Sequence, residues 1–243
     1  MNVMPVRLQA SYCQSVVARA RERAEQSRNP PAPMMLPEAL KTLQEHPDRY
    51  DPNRWLELFP HVRMRPGWVL DFVYRYWGNG GAPVLYARAA RGPRRAAVDE
   101  NQRGAWQSAL VPDGSGEGIF ETVVLARVAH RFHRVWHAFA DNAEFICDRD
   151  GLRAELGDPV AETPTQPHLP VGAGGLTQDG IDTLMARDTT PRIQLADGSA
   201  TITLLSVCRP GGLSEQTYEV RAGQPVRMTN ETMLWELRGG PIY

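Results

Sequence analysis

The segment from Glu121 to Phe145 reads ETVVLARVAHRFHRVWHAFADNAEF and contains three of the six histidines in the chain. Placed on an α-helix at about 100° per residue, it separates into two faces. One face is apolar and consists of Val128, Phe132, Val135, Trp136, Phe139 and Ala143. The opposite face is polar and consists of His130, His133, His137, Asp141 and Glu144. The pattern predicts one amphipathic helix over 121–145 with its apolar side packed into the N-terminal body.

The polar face of this helix is a candidate metal or proton-transfer site. His133 and His137 stand on adjacent turns, where two imidazoles can bind one divalent metal ion, and Asp141 adds a carboxylate. A single helix cannot complete the coordination, so another element has to supply a further ligand. Without a metal, His130, His133, His137 and Asp141 are candidates for acid–base catalysis or substrate contact. A third interpretation is a solvated polar side with no chemistry.

Composition and charge exclude several classes of protein. The chain has 243 residues, 42% of them hydrophobic and 23% charged, which is typical of a folded globular protein. Its net charge of −1 gives no general attraction to nucleic acid or anionic membranes. No apolar run reaches the length of a membrane span, and the N-terminus lacks the apolar segment of a signal peptide. Three widely spaced cysteines without a CxxC pair fit a reducing environment. We therefore expect a soluble cytoplasmic protein.

Hydrophobic periodicity and turn residues predict an α+β fold. The aromatic and β-branched run Trp68–Trp77 and the shorter run Val84–Arg88 flank a glycine-rich turn, which predicts a β-hairpin. Helices are predicted at 9–26, 37–45, 52–59, 150–156 and 177–185, and strands at 191–195, 200–207, 217–221 and 225–237. The expected organisation is a mainly helical unit with a hairpin at 1–156, a Pro/Gly-rich linker at 157–176, and a small antiparallel β unit at 177–243.

Arginine dominates the basic residues, since Lys41 is the single lysine among 27 lysines and arginines. GC-rich, bacterial-like coding explains this most simply, and bidentate contacts to carboxylates or phosphates are the alternative. The 88–103 loop carries five arginines against two acidic residues, with aromatic residues nearby on the hairpin. Nucleic-acid contact is therefore a hypothesis for Arg91, Arg94 and Arg95. Neither GxGxxG nor GxxxxGK[ST] occurs, so nucleotide binding by those motifs is unsupported.

Trp235 lies near the C-terminus between two leucines and is a candidate partner contact on an open edge strand. Packing into the core is the alternative for this residue. Our preferred functional hypothesis is a cytosolic binding or accessory protein that acts through protein contacts, with another protein or a second copy as partner. The alternatives are a hydrolase-like enzyme that uses the histidine face, and a nucleic-acid-binding protein that uses the 88–103 loop. The first is preferred because the sequence shows no complete set of catalytic residues.

Overall fold

The computed structural model describes residues 3–28, 51–77, 80–95, 98, 104–131, 144–157, 176–208 and 211–236. Of residues 25–28, 74–77, 80–82 and 130 only the backbone is described. The helices in these ranges are α1 (Ala10–Arg28), α2 (Gly116–Val128), α3 (Arg149–Leu156) and α4 (Gln178–Met185), with 3-10 helices at Pro52–Leu58, Ala105–Ala109 and Ala129–Arg131. With its antiparallel sheets, the protein belongs to the α+β class, as predicted.

The main sheet contains six antiparallel strands from both ends of the chain. These are β1 (Met4–Arg7), β6 (Glu144–Ile146), β7 (Arg192–Ala196), β8 (Ser199–Cys208), β9 (Gly212–Arg221) and β10 (Arg227–Trp235). Their order is β1-β7-β8-β9-β10, and β6 pairs with β8 beyond the end of β7. The strands predicted near 191–195, 200–207, 217–221 and 225–237 are confirmed.

Alternating residues of β8 show what covers each face of the main sheet. Ala200, Ile202 and Leu204 belong to the large core that α1 and α2 complete. Leu205 and Val207 point to the other side, where they join a smaller apolar cluster with α3 and α4. This alternation is the expected period of two for a strand that is buried on both sides. The helices therefore sandwich the sheet, α1 with α2 on one face and α3 with α4 at one end of the other.

Two smaller antiparallel pairs complete the structure. β2 (Val62–Met64) pairs with β5 (Leu110–Pro112), and β3 (Trp68–Trp77) pairs with β4 (Gly80–Ala89) over their full lengths. The second pair confirms the hairpin predicted around the glycine-rich turn. The 3-10 helix Pro52–Leu58 is capped by Asp51, whose side chain accepts a hydrogen bond from the Asn53 backbone N–H.

The helix predicted over 121–145 is not observed as one element. α2 begins earlier, at Gly116, and the α-helix ends at Val128 before the 3-10 turn Ala129–Arg131. Residues 132–143 lie outside the described part of the chain, and Glu144 starts β6 and forms an ion pair with Arg21. Every residue from Gly118 to Leu125 is buried. This part of the helix is enclosed on all sides. The apolar and polar faces predicted for 128–144 lie mostly in residues outside the described ranges, so that division stays a prediction.

The domain division at 157–176 stays a prediction, because residues 158–175 lie outside the described ranges. The main sheet nevertheless combines strands from both sides of that segment: β1 pairs with β7, and β6 pairs with β8. The helix predicted at 37–45 also lies outside these ranges. No helix within them is both long and apolar enough to cross a membrane.

Candidate functional site

The predicted histidine site is only partly described. His133, His137 and Asp141 lie in the 132–143 segment outside the described residues, and His130 is described by its backbone alone. Metal binding or acid–base chemistry by these residues therefore stays a prediction. Among the residues that the structure does describe, no group of three or more His, Cys, Asp or Glu side chains is placed to hold a metal ion.

In the described part of the predicted arginine loop, Arg94 and Arg95 contact the β3–β4 hairpin. Arg94 lies 3.2 Å from the carboxylate of Asp71, which is 4% exposed. The backbone N–H of Arg95 donates to the hydroxyl of Tyr86 at 2.8 Å, and its guanidinium lies 5.2 Å from the centre of that ring. Tyr86 is buried, so it does not offer a face on which a base could stack. Of the three candidate arginines, Arg94 and Arg95 thus contact the hairpin. Arg91 is exposed.

A polar network joins four elements around the first turn of α2. The carboxylate of Glu121 accepts hydrogen bonds from the hydroxyl of Tyr12 on α1 and from the backbone N–H of His61, both at 2.7 Å. The imidazole Nδ1 of His61 lies 2.8 Å from Oδ2 of Asp113. The other oxygen of Asp113 accepts from the N–H and the hydroxyl of Ser115, and the Ser115 hydroxyl oxygen caps α2 by accepting from the Gly118 N–H.

The ladder between β2 and β5 explains why His61 meets Asp113. Val62 pairs with Pro112, and the backbone N–H of Asp113 donates to the carbonyl of His61 at 3.0 Å. Cross-strand neighbours point to the same face, so the imidazole and the carboxylate lie side by side. Gly118 leaves the space that the Asp113 carboxylate occupies, since a Cβ atom at Gly118 would lie 2.6 Å from Oδ1 of Asp113. A side chain at this position would push the carboxylate away.

Burial and hydrogen bonds have opposite effects on the pKa values of the two carboxylates in the network. Burial raises the pKa of Glu121, although the hydrogen bonds from Tyr12 and His61 favour its ionised form. The hydrogen bond to Asp113 raises the pKa of His61 above its ordinary 6.5. Burial acts to raise the pKa of Asp113, but the hydrogen bonds from Ser115 and His61 outweigh it and hold that pKa below 3.8. The network therefore favours an imidazolium–carboxylate pair at mildly acidic pH.

The His61–Asp113 pair has one feature of a general base, because Asp113 fixes Nδ1 and leaves Nε2 with no partner among the described residues. The other parts of a catalytic centre are missing from those residues. Among the described residues, the one hydroxyl that hydrogen-bonds to the pair is that of Ser115, which donates to Asp113 and accepts from the Gly118 N–H. The hydrogen bonds of the network hold α1, α2 and the ends of β2 and β5 together.

Strand β10 exposes an unusual amount of surface for a strand of a six-stranded sheet. Every residue from Arg227 to Met233 is exposed, and Met228 and Met233 are 44% and 45% exposed. Met228, Glu231 and Met233 face Tyr218, Gln216 and Ser214 across the ladder, so the three point to the same side of the sheet. We name these three residues the methionine patch.

Glu231 is held in place at the centre of the methionine patch. Its Oε1 accepts hydrogen bonds from Nε2 of Gln216 at 2.7 Å and from the hydroxyl of Ser214 at 3.0 Å. Both donors are buried, and Gln216 is fixed in turn by the hydroxyl of Tyr218 at 2.5 Å. The Oε2 atom has no partner among the described residues. The patch thus presents a fixed acceptor between two flexible apolar side chains.

Trp235 lies two residues beyond the methionine patch, and its side chain points to the opposite face of the sheet. It pairs with Leu213 and packs, half-buried, against the apolar cluster of α3 and α4. Part of the indole surface is therefore buried against this cluster. Partner contact by its remaining surface stays a prediction.

The chain matches no family model, no curated protein and no solved structure.

Few of these features could be predicted from the sequence. The members of the Glu121 network are spread from residue 12 to residue 121, and the single local signal is the pair Asp113 and Ser115 ahead of α2. The methionine patch was detectable in part, because Met228, Glu231 and Met233 lie in a strand that was predicted. Their exposure depends on β10 being the last strand of the sheet, which strand prediction alone does not establish.

Proposed function

We propose that this protein is a binding or accessory protein that acts through contacts with another protein, and that the partner binds along β10. The observation that carries the proposal is the exposure of seven consecutive residues, Arg227 to Met233, in a strand that is fully paired with β9 on one side. In the described part of the chain, no strand pairs with the outer edge of β10. An edge strand of this kind can accept a segment of another protein.

The two bulges in β10 limit what can pair with it. The register shifts between Met228 and Asn230 and again between Met233 and Trp235. Bulges interrupt continuous pairing and reduce unselective edge-to-edge association. The regular stretch 230–233 offers only a short ladder, so side-chain contacts on the methionine patch have to supply most of the selectivity.

The methionine patch defines the chemistry of the expected partner. Methionine side chains adapt to differently shaped apolar groups, and the fixed Glu231 carboxylate favours a cation between them. We therefore expect a partner segment with an arginine or lysine flanked by apolar residues. Burial of the exposed half of each methionine is worth about 1 kcal/mol, so the pair contributes about 2 kcal/mol.

Site-specific photo-crosslinking in cells tests the proposal. A photoreactive residue at Asn230 is expected to give one specific adduct that disappears in Met228→Ser/Met233→Ser. The same residue at Met4 is the control, because β1 forms the opposite edge of the sheet and Met4 is 57% exposed. An adduct of twice the chain mass identifies a second copy as the partner. Equal adducts at both edges, or an adduct that the double substitution leaves unchanged, contradict the proposal.

Measurement with the purified partner gives the energetic test. The double methionine variant is expected to bind about 30-fold more weakly, the factor that corresponds to about 2 kcal/mol. Val3→Ser/Met4→Ser removes two exposed apolar side chains at the start of β1 and is expected to leave the affinity within twofold. Glu231→Gln is expected to weaken binding and to reduce its dependence on salt concentration.

A further inference from the structure

A cavity of about 400 Å³ lies between the end of the main sheet and the small β2–β5 ladder. It is half open to solvent and touches the turns that connect β7 to β8 and β9 to β10. Its size falls within the range of about 300–1,000 Å³ that is usual for small-molecule sites. At the roughly 30 Å³ that one water occupies, it holds a dozen or so non-hydrogen atoms.

Most of the cavity wall is apolar. Leu110 of β5, Ile119 of α2 and Val220 of β9 line it, and all three belong to the large core. Water in such a space gains few hydrogen bonds, so an apolar group that displaces it binds favourably. The wall therefore favours the hydrocarbon part of a ligand.

Arg65 supplies the one charged side chain among the described residues that line the cavity. Its backbone N–H donates to the carbonyl of Ala109 at 2.8 Å, which continues the β2–β5 ladder and fixes the start of the side chain. One terminal nitrogen donates to the carbonyl of Ser108 at 3.0 Å, and the guanidinium lies 6.0 Å from the ring centre of Trp68. The cation is thus oriented by two contacts at the rim of the cavity.

The charge of Arg65 is not neutralised by any acidic side chain within the described ranges. The guanidinium has further N–H groups in a planar fork, which matches the two oxygens of a carboxylate. Gly223 leaves room on this side, since a Cβ atom there would lie 3.7 Å from a terminal nitrogen of Arg65. An anionic group can therefore bind at the rim while an attached apolar group enters the cavity.

We propose that this cavity binds a small carboxylic acid with an apolar body, with the carboxylate on Arg65 and the hydrocarbon against Leu110, Ile119 and Val220. Sodium octanoate is a suitable probe, and 1-octanol is the matched neutral compound. In ¹H–¹⁵N spectra of the full chain, octanoate is expected to shift the amides of Gly198 and Gly223 in a saturable way. Octanol is expected to bind at least tenfold more weakly, and each methylene added from hexanoate to octanoate is expected to tighten binding by about fourfold.

Two arginine substitutions, one within β2 and one at the residue that follows it, separate binding in the cavity from general charge effects. Arg65→Gln is expected to weaken octanoate binding at least tenfold. Arg63→Gln removes the same charge from an exposed position outside the cavity and is expected to change the affinity less than twofold. Ala222→Phe, at the turn that lines the cavity, is expected to block binding with no loss of folded structure by circular dichroism.

Three results overturn the proposal. The first is equal affinity for octanoate and octanol, because the charge then has no role. The second is an equal effect of Arg65→Gln and Arg63→Gln. The third is the absence of saturable shifts at the cavity glycines of the wild-type protein, which needs no variant to fold. None of these measurements involves β10, so they test the cavity independently of the proposed protein contact.

Discussion

Tyr12 and Glu121 form a 2.7 Å hydrogen bond that spans 109 residues and joins α1 to α2 inside the large core. The carboxylate of Glu121 is fully buried and has one other donor, the backbone N–H of His61. Burial and the contact with Glu121 raise the pKa of Tyr12, so the phenol keeps its proton and acts as the donor. A buried carboxylate needs such donors, because an unpaired one loses its hydration without replacement.

We expect Tyr12→Phe to lower the free energy of unfolding by about 1–2 kcal/mol, because it removes one of two donors to a buried carboxylate. Urea denaturation at neutral pH measures the loss. Ser15→Ala serves as a control, since it removes an exposed hydroxyl of the same helix and should cost less than about 0.5 kcal/mol. Equal effects of the two substitutions would show that the Tyr12–Glu121 bond does not link the helices.

His61 and Asp113 predict a pH-dependent contribution to stability. Because the pKa of His61 is raised in the folded protein, the stability from its protonation is fully present below pH 6.5 and is lost as the pH rises through the folded-state pKa. The lowered pKa of Asp113 means that its contribution is present above pH 3.8 and is lost as the pH falls. Both side chains are partly exposed, so the contribution is expected to be below about 1 kcal/mol.

Asp113→Asn isolates this pair, since the amide oxygen can still accept from Ser115 while the charge is removed. The stability difference between wild type and variant should be larger at mildly acidic than at alkaline pH. The Cε1 proton of His61, followed by NMR, should report a lower pKa in the variant. An unchanged His61 titration would mean that Asp113 does not favour the imidazolium.

Asp71 and Arg88 form the most buried ion pair between two neighbouring strands of the described structure. Nε of Arg88 lies 2.7 Å from Oδ2 of Asp71, and the two side chains are 17% and 5% exposed. One terminal nitrogen of Arg88 also donates to the carbonyls of Ala89, Ala90 and Gly92. Arg88→Met should therefore destabilise the protein by about 3 kcal/mol, because it leaves a buried carboxylate with only partial compensation. Thermal or urea unfolding measures this.

Arg94→Gln is the matched test at the same carboxylate. The Arg94 side chain is 61% exposed, so the substitution should lower the free energy of unfolding by less than about 1 kcal/mol. Adding Asp71→Asn to Arg88→Met should recover part of the loss, since the buried charge is then gone. If Arg88→Met and Arg94→Gln cost the same, the buried pair is not what holds the arginine loop to the hairpin.

The longer strands were predictable because their sequence signals are local. The alternation along β8 and the paired runs of β3 and β4 predict strands whatever they later pack against. Strand β1 was missed, since Met4–Arg7 is short and becomes a strand only by pairing with β7. Local patterns identify strands, but pairing across nearly the whole chain leaves no signal in a single sequence.

The segment around Glu121 shows why the site was harder to predict than the fold. Periodicity treated Glu121 as the start of an amphipathic helix, yet this part of α2 is surrounded by α1, β2 and the main sheet, and the Glu121 carboxylate is buried with two donors. Amphipathic patterns assume that a polar residue marks the solvent side. A buried, fully bonded carboxylate breaks that assumption, and its donors come from residues far away in the sequence.

The three cysteines are expected to differ sharply in reactivity. Cys13 and Cys147 are buried in the large core, and their mutual hydrogen bond together with burial raises the pKa of Cys147 well above its usual range. Burial keeps a reagent from both thiols, and the raised pKa disfavours the reactive thiolate of Cys147, so both should be inert in the folded protein. Cys208, at the end of β8, is half-buried. A chromogenic disulfide reagent should therefore modify one thiol in the native protein, none in Cys208→Ser, and three in denatured wild type. Fast modification of a second thiol would mean that α1 separates from the sheet under native conditions, since Cys13 and Cys147 are reached only if that core opens.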